Sequence, residues 1–348
     1  MRVSRESLTR LAKENALERA FNNRDIIAAY LTGSLLSDSD PMLGGTTDVD
    51  LILVHATQPG ARREIVKLSA DFHLDIRHRA KSDFKSPREL RSDPLLGYEM
   101  YDPMLLYERE KFFEFVQAGI RAGFEFQTPP LILGRCRKLL AEARKGWIDL
   151  SDVGQGKAGS LEIKQFLRAL SYAGNTVAEL TGGPLSERRF LLDFPARAIA
   201  ADRPNFTAIQ FNLTGASQVD ANTLTGWLSD WKSDFLAAAE NSKVDQSIHA
   251  ARLNYYMKAI EALIAGETPL TGLWPLINTW TLAANATASS TGDDEAKIGP
   301  WRKAVEQLGL TGAGFVEQVS QLDLYLDEIE AQLDEIAVAN GLETSTSF

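Results

Sequence analysis

The chain has 348 residues, 44% of them hydrophobic and 24% charged, and a formal net charge of −10. This composition is typical of a soluble globular protein, and the length suffices for two domains with cores of their own. The negative charge argues against nucleic acid as a partner, because binding to its phosphates needs a positive field, and no segment is long and apolar enough for a membrane span. The first 21 residues have mixed charge and apolar residues at helical spacing, which predicts an amphipathic helix and not a secretory signal.

The cysteine and histidine content gives no sign of a disulfide or a zinc site. The single cysteine, Cys136, excludes an intrachain disulfide and suits a reducing compartment, so we expect a cytoplasmic location. It lies in a predicted helix, where a structural thiol is favoured over a nucleophile. The four histidines lack zinc-site spacing. His73 and His78 either flank a site or are solvated strand residues, and the second interpretation is favoured.

The first predicted strand, Ile26–Thr32, is an apolar run that ends in Gly33 and Ser34. A glycine after a strand lets the backbone turn and approach a ligand closely, and exposed N–H groups with a serine hydroxyl can hold phosphate oxygens. Gly and Ser are also common turn residues, so the pair by itself indicates no more than a turn. A loop of thirteen residues, 35–47, follows.

The second predicted strand, 48–54, begins with two aspartates, Asp48 and Asp50. Side chains alternate across a strand, so both carboxylates lie on one face and the apolar residues lie on the other. Two carboxylates about 6 Å apart repel each other by roughly 3 kcal/mol at an effective dielectric of about 20, so the pair needs a compensating charge. Magnesium suits this place, because it prefers oxygen ligands and leaves positions open for substrate phosphates.

A third carboxylate comes from the next predicted strand, 72–77. Apolar and polar residues alternate through this segment, which is the pattern of a half-buried strand, and a short helix is predicted before it over 61–69. Asp75 joins the first two aspartates if the strands are neighbours. Asp71 lies on the same face but precedes the strand, so Asp75 is preferred.

Gly33-Ser34, Asp48-Val49-Asp50 and Asp75, in this order, resemble the active-site signature of the nucleotidyltransferase superfamily of DNA polymerase beta type. The resemblance is closest to its small prokaryotic branch, which includes aminoglycoside and lincosamide nucleotidyltransferases. The loop over 35–47 is longer than in the small members of this family. Its extra residues either reshape the phosphate pocket or lengthen a surface loop.

The resemblance implies an enzyme that moves a nucleoside monophosphate from a nucleoside triphosphate, with ATP expected, to a hydroxyl of a small-molecule acceptor and releases pyrophosphate. Asp48 and Asp50 would hold one or two Mg²⁺ ions. Asp75 would either ligate metal or accept the proton of the attacking hydroxyl. Gly33 and Ser34 would hold the terminal phosphates.

Two other functions stay open beside this one. The first is protein adenylylation, as in the minimal nucleotidyltransferase antitoxins, although those chains are usually short and lack a long helical extension. The second is a non-catalytic nucleotide-binding or regulatory protein that keeps the fold, and the presence of all three carboxylates weighs against it. The sequence carries no signal for the nucleobase, the acceptor or the oligomeric state.

The expected fold class is an α+β nucleotidyltransferase-like domain, a small mixed sheet with helices, over 1–128, followed by an all-α domain over 129–348. A helix with several phenylalanines is predicted over 107–122, and the prolines after Thr128 mark the boundary. From Leu131 onward apolar residues recur at helical spacing almost throughout.

Within the helical domain, a helix is predicted over 161–181, with Ser160 as its N-cap. Lys164 and Arg168 lie one turn apart on its polar face, which suggests an anionic partner such as nucleotide phosphates, with a solvated face as the plain alternative. By analogy with aminoglycoside nucleotidyltransferases, the helices would complete the acceptor pocket. Further helices are predicted over 223–241, 246–264, 273–284, 300–308 and 315–339, with a polar loop over 286–298.

Overall fold

The computed structural model describes residues 4–36, 41–123, 128–153, 158–241, 244–291 and 298–344. The chain divides into two compact units, Met1–Glu125 and Phe126–Phe348. The first unit contains a five-stranded mixed sheet with helices, and the described part of the second is helical, which agrees with the expected α+β class. None of the helices in the described ranges has both the length and the apolar character that a membrane crossing requires.

The first unit begins with a helix, and most of its strands precede the remaining helices. The strands are β1 (Ile26–Thr32), β2 (Thr47–His55), β3 (Arg63–Lys67), β4 (Phe72–Ala80) and β5 (Met104–Glu108). The helices are α1 (Arg5–Asn22), α2 (Pro87–Arg91), α3 (Leu96–Tyr101) and α4 (Phe112–Arg121).

The strand order in the sheet is β3-β4-β2-β1-β5. β2 and β4 run parallel, whereas each of the other neighbouring pairs is antiparallel. The parallel pair is possible because β3 and its flanking turns carry the chain back to the start of the sheet before β4 begins. Two strands that are separated in sequence therefore begin at the same edge of the sheet.

Each face of the sheet has its own apolar core. On one face, Leu8, Ala12 and Ala16 of α1 are buried one turn apart, and the small alanines let the helix lie close to the strands. On the other face, Tyr30 of β1 packs against Phe113 of α4 with ring centroids 5.1 Å apart. The central strands thus have an apolar core on both sides, and polar side chains on them are buried or partly buried.

The helix predicted over 61–69 is wrong, because strand β3 lies there. β3 pairs antiparallel with β4, and Ile65 is the register partner of Asp75. Only five residues form this edge strand, so its alternation is too short to identify from sequence, and the pairing with β4 decides the conformation.

The helix predicted over 107–122 is wrong at its start. Strand β5 extends to Glu108, and α4 begins only at Phe112. Glu110 and Lys111 between them have left-handed backbone angles, with φ of 69° and 54°. Such angles end the strand and start the helix in a new direction, and neither residue is a glycine that would have revealed the turn.

The described part of the second unit is a set of packed helices. They are α5 (Pro129–Ser151), α6 (Ser160–Glu179), α7 (Phe190–Ala200), α8 (Asn205–Leu213), α9 (Ala221–Ala239), α10 (Leu253–Ile264), α11 (Leu273–Thr291), α12 (Gly299–Gln307) and α13 (Gly312–Ala339).

Most helices predicted in the second unit agree with the structure to within a few residues. Gly159, not Ser160, is the N-cap of α6. The segment predicted as helical from 246 becomes an α-helix only at Leu253, after two short 3₁₀ turns. α11 continues to Thr291, so the first part of the predicted loop is helical, and 292–297 lie outside the described residues.

All six tryptophans of the chain belong to the second unit. Three of them are fully buried, and each donates its indole N–H to a side-chain oxygen, as a buried indole requires. These hydrogen bonds are Trp231 to Thr279 at 2.9 Å, Trp280 to Asp234 at 2.7 Å and Trp301 to Thr281 at 3.1 Å.

A buried ion pair joins α5 to α6. Arg135 Nε donates to Glu179 Oε1 at 2.6 Å, and both side chains are 0% exposed. The neighbouring Cys136 is also buried, and this burial, together with the charge of Glu179, raises the pKa of its thiol well above the ordinary value. The thiol therefore stays protonated and fits the structural role that the sequence favours.

Candidate metal centre

Three aspartates converge at the edge of the sheet where β2 and β4 begin. Asp48 and Asp50 belong to β2, Asp75 belongs to β4, and Asp50 and Asp75 are register partners. One carboxylate oxygen from each lies within 4.8 Å of the others. Asp75 is 1% exposed and Asp48 6%, whereas Asp50 is half-buried. The cluster is thus largely enclosed but keeps an opening at Asp50.

The alternation of side chains in the two strands explains this convergence. Val49 and Leu51 of β2 and Leu74 and Ile76 of β4 all pack in the apolar core under α1. The residues between them must point to the opposite face, and in parallel strands register partners point the same way. The apolar core therefore fixes the face on which the carboxylates meet.

Gly33, which follows β1, lies directly against one of these carboxylates. Its φ is +82°, a region that favours glycine, and a Cβ added to it would lie 2.1 Å from Asp50 Oδ2. The backbone turn at this position therefore approaches the cluster more closely than any other residue type permits. Ser34 begins the short 3₁₀ turn that follows, and Leu36 N donates to Gly33 O at 3.1 Å.

Part of the long loop that the sequence singled out is described. Leu43 and Thr46 form an isolated bridge around Gly44 and Gly45, both of which have positive φ, so the end of the loop is a tight turn. Residues 37–40, which include Asp38 and Asp40, lie outside the described residues.

Two arginines face the carboxylates. Arg63 of β3 donates from Nε to Asp75 Oδ1 at 2.8 Å and from Nη2 to Asp75 Oδ2 at 2.6 Å. Arg77, two residues after Asp75 on β4, donates to Asp50 Oδ1 at 3.2 Å. Two guanidinium groups against three carboxylates leave an excess of one negative charge when all are ionised, so the site still favours a cation.

The charges of the carboxylates change the pKa of Arg77. Burial acts to lower the pKa of its guanidinium, but the charges of Asp50 and Asp75 act against it, with smaller contributions from Glu99 and Asp48. The net result is a raised pKa. Arg77 is therefore charged at neutral pH.

A second set of charged and polar side chains lies further along the same face of the sheet. Arg79 of β4 binds both carboxylate oxygens of Glu99 at 2.9 and 2.5 Å, and Tyr30 donates to Glu99 Oε1 at 2.7 Å. Burial, followed by the charge of Glu99, raises the pKa of the Tyr30 hydroxyl well above its usual value. These contacts tie α3 to the sheet.

The expectation that His73 and His78 are solvated is wrong. His73 is buried and is the register partner of Asp48. His78 lies on the α1 face, where its Nδ1 is 2.9 Å from His55 Nε2 and its Nε2 is 3.0 Å from Glu64 Oε1. His55 Nδ1 in turn lies 3.2 Å from Asp25 Oδ2, and Arg19 donates to Glu64 Oε1 at 2.5 Å, so five titratable groups are in contact one after another.

The donor set of the aspartate cluster fits a hard divalent cation. Its three ligand groups are all carboxylates, and Mg²⁺ is bound by one or two carboxylates together with waters and substrate phosphates. Asp48, Asp50 and Asp75 are the residues that would hold such an ion.

Sequence reasoning selected these three aspartates and missed the two arginines. Arg77 shares the face of Asp75 at a spacing of two, so the alternation alone would have found it. Arg63 is brought to Asp75 only by the pairing of β3 with β4, which the sequence misassigned. Lys164 and Arg168, the other predicted phosphate contacts, lie on α6 in the second unit, where Arg168 Nη2 donates to the Tyr172 hydroxyl at 3.0 Å. Their assignment to the nucleotide stays a prediction.

Comparison with known proteins gives little guidance on family. No protein-family description and no curated protein sequence matches the chain. Among solved structures, a nucleotidyltransferase-like protein from Exiguobacterium sibiricum 255-15 aligns over 97% of this chain and 96% of its own, with 10% sequence identity and a TM-score of 0.29. A TM-score this low carries no argument about family or fold, so the function must be argued from the site.

Proposed function

We propose that this protein is a magnesium-dependent nucleotidyltransferase that moves a nucleoside monophosphate from a nucleoside triphosphate, ATP first among them, to a hydroxyl of a small-molecule acceptor. The observation that carries the proposal is the meeting of three carboxylates from two parallel strands beside the glycine turn at Gly33. Carboxylates that share an oxygen-ligand site next to a close backbone approach suit a metal-bound triphosphate.

In the proposed reaction, the acceptor oxygen forms a bond to the α-phosphorus and its hydroxyl proton passes to solvent water. The bond from that phosphorus to the bridging oxygen of pyrophosphate breaks, and pyrophosphate leaves with the electron pair. A bound Mg²⁺ supplies positive charge that offsets the charge developing on the leaving pyrophosphate. Asp48, Asp50 and Asp75 hold the ion, and the turn at Gly33 and Ser34 lets phosphate oxygens reach backbone N–H groups.

The two arginines refine the roles of the carboxylates in this proposal. Both oxygens of Asp75 accept hydrogen bonds from Arg63, and a carboxylate held in this way is a weak base. We therefore assign Asp75 to metal binding rather than to proton abstraction. Arg77 carries a fixed positive charge beside Asp50 and is placed to attract phosphate oxygens to the open side of the cluster.

The charge of the chain supports a small acceptor. With a net charge of −10, the protein repels nucleic-acid backbones, whereas a small hydroxyl compound meets no such barrier. Lys164 and Arg168 of the second unit are proposed as further contacts to the nucleotide phosphates. A cytoplasmic location, where ATP and Mg²⁺ are abundant, is part of the same proposal.

The experiment is a transfer assay with matched variants. The purified protein is incubated with Mg²⁺, each labelled triphosphate and a panel of aminoglycosides, lincosamides and cell lysate, and pyrophosphate release is measured. Asp48→Asn with Asp50→Asn should abolish release and weaken Mg²⁺ binding, whereas Asp71→Asn, outside the cluster, should leave both unchanged.

The distribution of the label separates the proposed function from its rivals. Label on a small molecule supports the proposal, and label on a polypeptide replaces it with protein adenylylation. Triphosphate binding without transfer of label to any acceptor indicates a regulatory nucleotide-binding protein. Pyrophosphate release that persists in the Asp48→Asn, Asp50→Asn double variant contradicts the metal site itself.

A further inference from the structure

A cavity of about 710 Å³ lies in the first unit, between the end of β4 and the start of α4. Its volume is within the range of about 300 to 1,000 Å³ that small-molecule sites occupy. Phe84, Phe112 and Phe115 contribute apolar walls, and Pro87 and Leu90 of α2 form the base. The cavity is therefore large enough, and apolar enough, for an aromatic compound.

The cavity is also positively charged. Lys81, Lys85 and Lys111 line it, and within the part of the chain that the structure describes none of the three ammonium groups forms an ion pair. The acidic lining residue is Glu110, whose carboxylate lies 3.6 Å from Arg109. Three lysines and one glutamate give the lining a net charge of +2, and this local positive charge favours an anionic occupant.

The aromatic side chains are arranged to receive a ring. Phe84 and Phe112 meet edge to face with centroids 5.4 Å apart, and the Lys81 ammonium lies 5.6 Å from the Phe112 centroid. Phe115 is 75% exposed. A phenylalanine so exposed at the rim of a cavity gains apolar burial when a ligand covers it.

The backbone at the mouth of the cavity is held in an uncommon conformation. Glu110 and Lys111 are consecutive non-glycine residues with positive φ. Residues in such conformations cost free energy and persist where the surrounding structure requires them. Here they turn the chain so that Lys111 and the N-terminus of α4 both adjoin the cavity, and the helix dipole adds to the positive charge of the lysines.

This cavity is separate from the aspartate cluster. Lys81 follows the end of β4, six residues beyond Asp75, which corresponds to roughly 20 Å of extended strand. The contacts of Glu99 with Arg79 and Tyr30 lie between the two places on the same face of the sheet. A ligand in the cavity therefore has its own contacts and does not depend on the metal centre.

We propose that this cavity is a binding site for a small aromatic compound that carries an anionic group, with the ring among Phe84, Phe112 and Phe115 and the anion at the lysines. The proposal is independent of the proposed nucleotidyl transfer. Phosphate, sulfonate and carboxylate are equivalent at this level, because lysine ammonium groups act on all of them as point charges.

The test compares three probes of the same ring: 1-naphthyl phosphate, 1-naphthoate and uncharged 1-naphthol. Each is titrated into the full chain by isothermal calorimetry at low ionic strength and again in 0.5 M salt, a concentration of about three times the physiological level. The two anions should bind at least tenfold more tightly than naphthol at low salt, and the difference should shrink in high salt. Naphthol that binds as tightly as both anions, or no binding of any probe, overturns the proposal.

Variants locate the site. Lys81→Gln with Lys85→Gln should weaken binding of the anions about tenfold and leave naphthol unchanged, and Phe115→Ser should weaken all three probes. All three positions are exposed, so the fold should tolerate the changes. Lys13→Gln with Lys67→Gln removes two exposed lysines of the same unit outside the cavity and should change nothing. Anion binding that survives the Lys81, Lys85 double variant places the probe elsewhere and overturns the proposal.

Discussion

Arg63 donates two hydrogen bonds to Asp75, from Nε to Oδ1 at 2.8 Å and from Nη2 to Oδ2 at 2.6 Å, and Asp75 is 1% exposed. We expect Arg63→Ala to lower the free energy of unfolding by about 2 to 3 kcal/mol, because it leaves a buried carboxylate without its main counter-charge. It should also tighten Mg²⁺ binding, since the site becomes more negative. Chemical denaturation with and without Mg²⁺ measures both effects.

The adjacent Arg62 provides the control for this prediction. Its ion pair with Asp83 is solvent-exposed, at 3.1 Å, and such pairs contribute less than about 1 kcal/mol. Arg62→Ala should therefore change stability little and Mg²⁺ binding not at all. If the Arg62 and Arg63 variants lose equal free energy of unfolding, the bidentate contact of Arg63 with Asp75 contributes no more to stability than an exposed ion pair.

Gly33→Ala should damage the site more than the fold. Any non-glycine residue at its positive φ costs about 1 to 2 kcal/mol, and the new methyl group would also collide with Asp50. The Asp50 carboxylate must move, so we expect the free energy of unfolding to fall by more than about 3 kcal/mol. We also expect weaker Mg²⁺ binding. Calorimetric titration with Mg²⁺ and thermal unfolding give the two readouts.

Gly45→Ala separates backbone strain from collision. Gly45 has a φ of +73°, close to that of Gly33, but nothing lies within 4 Å of an added Cβ. We expect it to cost about 1 to 2 kcal/mol, from the strain alone, with Mg²⁺ binding unchanged. If Gly33→Ala and Gly45→Ala lose equal stability and bind Mg²⁺ equally well, the close approach of Gly33 to Asp50 affects neither property.

His78 should titrate below the ordinary histidine pKa of 6.5. Burial lowers the pKa of His78, the hydrogen bond and charge of Glu64 partly oppose this, and His55 lowers it further. Above pH 6.5 both folded and unfolded states are neutral, and the stability contribution of His78 is complete. As the pH falls below 6.5 the unfolded state takes up the proton first, so this contribution is lost.

Proton NMR resolves His78 among the four histidines of the chain. Glu64→Gln should lower its titration midpoint further, because an opposing interaction is removed, and His55→Asn should raise it. A His78 midpoint at or above 6.5 in the unaltered protein would contradict the predicted lowering of its pKa. Variants that shift the midpoint in the reverse directions would contradict the roles of Glu64 and His55.

Removing one partner of the buried pair of Arg135 and Glu179 should lower the free energy of unfolding strongly, whereas replacing both partners by apolar residues should change it little. Arg135→Met leaves an uncompensated buried carboxylate and should destabilise the second unit by about 3 to 5 kcal/mol. Adding Glu179→Leu removes that carboxylate and should recover stability to within about 1 kcal/mol. Tryptophan fluorescence follows this unfolding, because all six tryptophans belong to that unit. A double variant no more stable than Arg135→Met would show that packing cannot substitute for the pair.

Much of the first unit was predictable because its central strands alternate strongly. β1 and β2 agree with the predicted segments to within one residue at each end, and β4 was found although it extends to Ala80. The same alternation placed Asp48, Asp50 and Asp75 on one face. In the second unit, apolar residues at helical spacing located α6, α9 and α13 for the same reason.

The elements that sequence reasoning missed depend on partners distant in the chain. β3 is a five-residue edge strand whose conformation is decided by β4, so the contact of Arg63 with Asp75 had no local signal. The turn at Glu110 and Lys111 uses residue types that seldom adopt left-handed angles. His78 was taken for a surface residue because its partner His55 lies 23 positions away.

The parallel register of β2 and β4 has a consequence for how this chain can tolerate insertions and deletions. The apolar residues under α1 and the carboxylates on the opposite face are alternate positions of the same two strands. Loss of one residue within β4 would turn Asp75 into the hydrophobic interior and bring a leucine or isoleucine to the cluster, so folding and chemistry would fail together. Length changes in the connection before β3 leave this alternation intact. We therefore expect both the fold and the aspartate cluster to tolerate an insertion there.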